Sequence, residues 1–285
     1  MHSVGRTTSL IIIGTAILAG AVLLWGDGEL ASPHILPSAV SEPDATTTTP
    51  IAASTTPQGT ALYPYIEVVT SCGPYYEGVC VNMRSGPSVD SPVVLKLRKG
   101  MVLRVADIVQ TPQGLWYRIE PDKDITYPER ITSDWYVSGD VANLFYDDGD
   151  HRLELGEHAT TTKRIVVNLT TEMLYAYDGD TLFMQDPIST GLDATPTPTG
   201  TFVVFKMTPS RYMQGPIPNV SDQYYDLPGV PWNLYFTTDG AVIHGAYWHD
   251  HFGEPWSHGC INLAPDEAKK LYRWAQIGMT VTVER

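Results

Sequence analysis

RIVVNLTTEMLYAYDGDTLFMQDPIST, residues 164–190, decides the fold. It reads as two or three β-strands, with Asp178-Gly179-Asp180 as the hairpin turn. Downstream, GTFVVFKM (200–207) and WNLYFTTDGAVIHG (232–245) add strands, the second turning at Thr238 to Gly240. MTVTVE (279–284) supplies a last one. A single helix is expected. Pro265 suits its first position, Asp266 and Glu267 suit its positive end, and Gly278 can end it. Ala268, Leu271 and Ala275 would form its apolar stripe, flanked by Tyr272 and Trp274. Strands and helices do not alternate, so a doubly wound parallel sheet is not expected. A mainly β domain over 163–285 is.

Upstream, residues 63–147 form a second β unit. YIEVV (65–69), VVLKL (93–97), MVLRVADIV (101–109), LWYRI (115–119) and DWYVSG (134–139) are short β-rich runs split by Gly, Pro and Asp turns. The segment between Ile125 and Leu144 reads as an inserted hairpin or loop. Tyr75, Tyr76, Trp116 and Trp135 are read as core aromatics, with a binding face as the alternative. Residues 32–62 are rich in Pro, Ser, Thr and Ala and read as a linker.

Residues 1–31 differ. Arg6 precedes an uncharged run at 10–25, whose sixteen residues would rise about 24 Å as a helix, short of a bilayer core of about 30 Å. A cleaved signal and an uncleaved membrane anchor both fit, and the anchor is preferred because Ala19-Gly20-Ala21 lies inside the apolar run. Either way the body is expected to be exported, to the outer face of the cytoplasmic membrane or the cell wall. The net charge of −14 argues against nucleic acid as a partner.

Export sets the reading of the three cysteines. Cys72 and Cys80 bracket a short turn-rich loop and are expected to form a disulfide, leaving Cys260 as the odd thiol. Cys260 lies in PWSHGCINL (255–263), with His244, His249, His251 and His258 nearby. Three chemistries compete for it: inert packing, a zinc site drawing on those histidines, and a thiol nucleophile. The nucleophile is favoured. His244 ends a strand, Gly259 lets the Cys260 N–H face a substrate oxygen, and the helix beginning at Pro265 is expected to lower the thiol pKa.

Two resemblances sharpen this. Asn82 to Ser88 (NMRSGPS), followed by WYRI at 116–119, is similar to the bacterial SH3 family, which implies a small β-barrel module that binds wall peptide or acts as a spacer. His244, twelve intervening residues and Ser257-His258-Gly259-Cys260-Ile261-Asn262, with STGLDATPTPTGTF at 189–202, resembles the L,D-transpeptidases of the YkuD type. That resemblance implies a peptidoglycan cross-linking enzyme without metal or cofactor. Cys260 would be the nucleophile and His244 the base, its other ring nitrogen held by the Gly245 backbone. His258 would line the acyl pocket, and Ser257, Gly259, Gly240 and Asn262 would contact substrate. Asn262 stands where many relatives carry Arg to meet a carboxylate. Asp239, Tyr224 and Tyr225 would fall near the substrate-lining turn and lid. The implied reaction acylates Cys260 with a tetrapeptide stem, expels D-alanine and passes the acyl group to an amine. A carboxypeptidase using water and a non-catalytic wall-binding protein are the alternatives.

Overall fold

A computed structural model describes residues 61–122, 125–153, 160–216 and 224–285. The leader (1–31) and all but the last two residues of the linker (32–62) lie outside them.

Seven strands build the first sheet: β1 (Tyr63–Val68), β2 (Asn82–Arg84), β3 (Val93–Lys96), β4 (Val102–Thr111), β5 (Gly114–Ile119), β6 (Trp135–Ser138) and β7 (Ala142–Asp147), in the order β3-β2-β6-β5-β4-β1-β7. The remaining strands are β8 (His151–Arg152), β9 (Lys163–Asn168), β10 (Met173–Asp178), β11 (Thr181–Pro187), β12 (Gly200–Val203), β13 (Lys206–Gln214), β14 (Asp226–Tyr235), β15 (Val242–Gly245), β16 (Ile261–Leu263) and β17 (Thr280–Glu284). They form two five-stranded sheets, ordered β11-β10-β9-β17-β12 and β16-β15-β14-β13-β8.

Alternation makes the first of these two sheets one-sided. Ile165 and Val167 of β9, Leu174 and Ala176 of β10, and Val281 and Val283 of β17 all point into one core. The expected two-residue hairpin turn lies at Gly179-Asp180, between β10 and β11. Strand β14 is different, because Pro228 to Leu234 are buried without a break. Asp226 to Pro231 carry no strand signal in the sequence and follow Tyr224 and Tyr225, which were placed near the lid. Pro231 is nonetheless in register opposite Ser210 of β13.

The reason lies in what covers β14. Val230 and Tyr212 belong to the hydrophobic cluster of the seven-stranded sheet, while Tyr65 and Val102 belong to the cluster around β9 and β17. The two cores are therefore interlocked. Tyr212 meets Trp135 edge-on at 5.7 Å, and Phe145 bridges Tyr65 at 5.7 Å and Trp232 at 5.4 Å. Polar contacts cross the same seam: Ser210 Oγ donates to Val102 O at 2.6 Å, and Tyr212 N–H to Asp122 Oδ2 at 3.0 Å. Lys269 on the helix pairs with the nearly buried Glu67 of β1.

The helix α1 spans Pro265–Trp274, four residues short of the Gly278 stop. Ala275 is already extended, so the buried stripe is Ala268, Leu271 and Tyr272 rather than one reaching Ala275. Trp116 and Trp135 are core residues, but Tyr75 and Tyr76 are about half exposed. The two tyrosines sit in the loop closed by the Cys72–Cys80 disulfide, the pairing expected from sequence. The stretch from Ile125 to Leu144 is an insert only in its first part, since Trp135–Ser138 is β6, paired between β2 and β5, and β7 begins at Ala142. The loop before β6 contains the 3-10 turn Pro128–Arg130 and touches the second domain, where Arg130 stacks on Tyr224 at 3.1 Å from the ring centroid.

An interlocked seam predicts that both units melt together. Tyr212→Ala removes a ring shared by both and should lower stability by about 3 kcal/mol. In calorimetry a single transition should shift down. Two resolved transitions, with only one displaced, would show that the cores are independent.

Candidate active site

Strands β15 and β16 run parallel, with Ile243 opposite Ile261 and His244 opposite Asn262. Cys260 immediately precedes β16, two residues before Asn262, so pleat alternation turns it to the same face as Asn262 and His244. Val242 N–H faces the sulfur from the neighbouring strand. His244, His258 and Cys260 line one cavity of about 1040 Å³, with Gly240, Asp239, Tyr224 and Tyr225 also on its wall.

The loop carrying Cys260 rests on the STGLDATPTPTG segment. Thr190 O accepts from both Trp256 N–H and Ser257 N–H at 2.9 Å, and Ser189 exchanges backbone hydrogen bonds with Asn262 at 2.9 and 3.0 Å. Glu172, buried, fixes Thr190 by accepting its N–H at 2.7 Å and its hydroxyl at 2.5 Å. Gly191 is required there, since a Cβ would lie 2.1 Å from Thr195 O. Its N–H is held by Thr197 Oγ1 at 2.8 Å. Ser257 turns inward: its hydroxyl donates to Cys260 O at 2.6 Å and accepts Gly259 N–H at 3.1 Å. It braces the tight turn at Gly259 (φ +110°), and its hydroxyl is engaged by the loop itself.

His244 is 1% exposed. Its Nδ1 lies 3.1 Å from Gly245 O, and a carbonyl only accepts, so the proton is on Nδ1. Nε2 therefore carries the lone pair, and it is buried without a hydrogen-bond partner. Burial pushes the pKa of His244 down to about 3, with the charges of Arg211 and His249 acting in the same direction. Cys260 departs from the sequence expectation. Burial raises its thiol, only partly countered by Val242 N–H and Arg211, and strand β16 stands between it and the helix start. At rest the sulfur lies 3.8 Å from Gly240 O, the contact of a protonated thiol. The exposed His258 ring has its pKa lowered by partial burial.

The other residues sort differently. His249 is 1% exposed, its Nδ1 accepting His251 N–H at 3.2 Å and its Nε2 pairing with the Asn262 amide at 2.8 Å. Asn262 reaches the cavity wall; its Nδ2 pairs with His249, while its Oδ1 is buried without a partner. His251 pairs with Glu254 and stacks on Trp256 at 3.8 Å. Among the described residues, the ligand atoms of His244, His249, His251, His258 and Cys260 do not converge as any group of three, so they do not form the zinc site weighed from sequence.

Sequence reasoning missed both arginines of the cavity wall, Arg211 of β13 and Arg98 of the first sheet's domain. Neither lies in a motif. Arg98 is sandwiched between the Tyr76 ring (4.6 Å) and the Tyr247 ring (4.9 Å), and Tyr75 of the disulfide loop meets His251 edge-on at 6.1 Å.

A neutral thiol and a neutral imidazole on one cavity wall have two consequences. Iodoacetamide alkylation of Cys260 should keep accelerating above pH about 8.5; a plateau near neutrality would reveal a preformed thiolate–imidazolium pair. His244 and His249, with pKa values of about 3 and about 4, lie below the value of about 6.5 for an unfolded histidine. Their contribution to stability is complete above pH about 6.5 and is lost as pH falls towards those values, at up to about 1.4 kcal/mol per pH unit each. Denaturation from pH 7.5 to 4.5 should show this slope, and His249→Gln should reduce it; an unchanged slope would mean that His249 is not held neutral.

Residues 162–283 match the family model of the L,D-transpeptidase catalytic domain, and residues 77–127 that of the bacterial SH3 domain. Similar solved structures include an L,D-transpeptidase from Mycobacterium smegmatis (22% identity, covering 64% of this chain and 98% of that one, TM-score 0.41). Another is L,D-transpeptidase 3 from Mycobacterium tuberculosis in complex with a faropenem-derived adduct (18% identity, 64% and 98% covered, TM-score 0.41). A third is the catalytic domain of the Enterococcus faecium L,D-transpeptidase (27% identity, 44% and 98% covered, TM-score 0.39). No curated protein sequence matches. Residues 162–283 of the chain are thus similar to the L,D-transpeptidase catalytic domain, and residues 77–127 to the bacterial SH3 domain.

Proposed function

We propose that this is an exported peptidoglycan L,D-transpeptidase in which Cys260 is the nucleophile and His244 the general base and acid. The observation that carries the reading is the buried, unpartnered Nε2 of His244 on the same cavity wall as the Cys260 thiol. The substrate class is the peptidoglycan stem peptide, and the run at 10–25 holds the enzyme at the outer face of the membrane.

As the sulfur attacks the carbonyl carbon of the third stem residue, its proton passes to His244 Nε2 and the carbonyl oxygen becomes an oxyanion. Because the resting pair is neutral, proton transfer accompanies attack. Gly259 N–H is held by Ser257 Oγ, which leaves the Cys260 N–H as the turn's donor to that oxyanion. The C–N bond then breaks, His244 returns the proton to the departing D-alanine amine, and a thioester remains. An acceptor amine attacks the thioester. Its proton passes through His244 to the leaving sulfur, which regenerates the thiol and completes a 3→3 cross-link or an attachment to protein.

Incubation of the protein with a tetrapeptide stem or a carbapenem should yield a covalent adduct on Cys260 by intact mass. Cys260→Ala should abolish it with little change in melting temperature, since the deleted volume is small. A folded protein that forms no adduct with either compound would sink acyl transfer, and loss of folding in the alanine variant would support a packing role.

A further inference from the structure

The half-buried Arg211 occupies β13 opposite Val230 and lines the cavity that holds Cys260. Its Nη1 is buried without a hydrogen-bond partner. No described carboxylate forms an ion pair with it; its Cζ lies 5.4 Å from the Tyr235 ring centroid, a contact that orients the guanidinium but leaves the N–H fork open. A buried donor left unpaired costs stability, and on the wall of the cavity that holds Cys260 an anionic occupant would satisfy it. Its charge is felt at both Cys260 and His244, which places it within electrostatic range of the reacting atoms.

The wall offers few alternatives. Asn262 is neutral, its Nδ2 paired with His249 and its Oδ1 left without a partner. Arg98, whose Nε is also unpartnered, is sandwiched between two tyrosine rings, and its charge is not among those acting on Cys260 or His244. The fork geometry of a guanidinium matches a planar carboxylate with two parallel N–H···O bonds.

We propose that Arg211 is the carboxylate receptor of the acyl-donor peptide and sets the enzyme's preference for donors with an anionic group near the scissile bond. This rests on the acyl-transfer reading above. Two carboxylates of a stem peptide fit this chemistry: the C-terminal one of the departing residue and any on the third residue's side chain.

The test crosses Arg211 with the donor. Acylation rates would be measured by intact mass for the wild type, Arg211→Gln and Arg211→Lys, each checked for an unchanged melting temperature. The donors would be the free tetrapeptide, its C-terminal amide, and the tetrapeptide amidated at the third side chain. The wild type should lose about 10- to 100-fold in rate on the donor whose relevant carboxylate is amidated. Arg211→Gln should lose a similar factor on the free donor and little more on that amide, while Arg211→Lys should fall between. The amide that abolishes the difference identifies the carboxylate. Equal losses on all donors would assign Arg211 to tuning Cys260 and His244 and overturn the receptor. A wild type acylated equally by every donor would overturn it as well. A wild type acylated by none would overturn acyl transfer itself, and the receptor with it.

Discussion

Three residue pairs of parallel ladder, Ile243–Gly245 against Ile261–Leu263, organise the site. A parallel pair cannot be closed by a tight turn, so the chain must travel from the end of β15 back to the start of β16 through a long loop. Residues 246–260 are that loop. Its return is anchored on Thr190, Thr190 is fixed by Glu172, and Gly191 permits the close packing beneath. Cys260 is the last residue of the loop and His244 lies within the neighbouring strand, so one ladder sets both positions.

The electrostatics follow from the burial this demands. Burial favours the neutral forms of both groups, driving the thiol up and the imidazole down. An open site would hold a thiolate more cheaply but would also admit water. The charge of Arg211 opposes the thiol's rise.

Much of this was legible in the sequence where the cause is local. The strand-ending His244, the glycine before Cys260, the Gly179 hairpin and the cysteine pair at 72 and 80 each follow from a few neighbouring residues. What could not be read depends on distant partners. Pro228, Gly229 and Pro231 look like breakers, yet β14 forms because its backbone pairs with β13 and its second face is covered by another domain. Arg98 and Arg211 lie in no motif, since a cavity wall assembled from two domains leaves no spacing along the chain. The thiol was expected to be acidified by a nearby helix, but the intervening strand and the desolvation of the sulfur prevail.

The SH3-like domain, whose resemblance implies wall binding or a spacer, shares its core with the second domain and lends Arg98 to the cavity. Its disulfide-closed loop also touches the histidine loop through Tyr75. The two domains are therefore not interchangeable parts. A recombination event that moved residues 162–283 into a new chain would strip β14 of its cover and the cavity of one wall. In this chain the two domains make one physical unit, and moving either alone would uncover apolar surface of both.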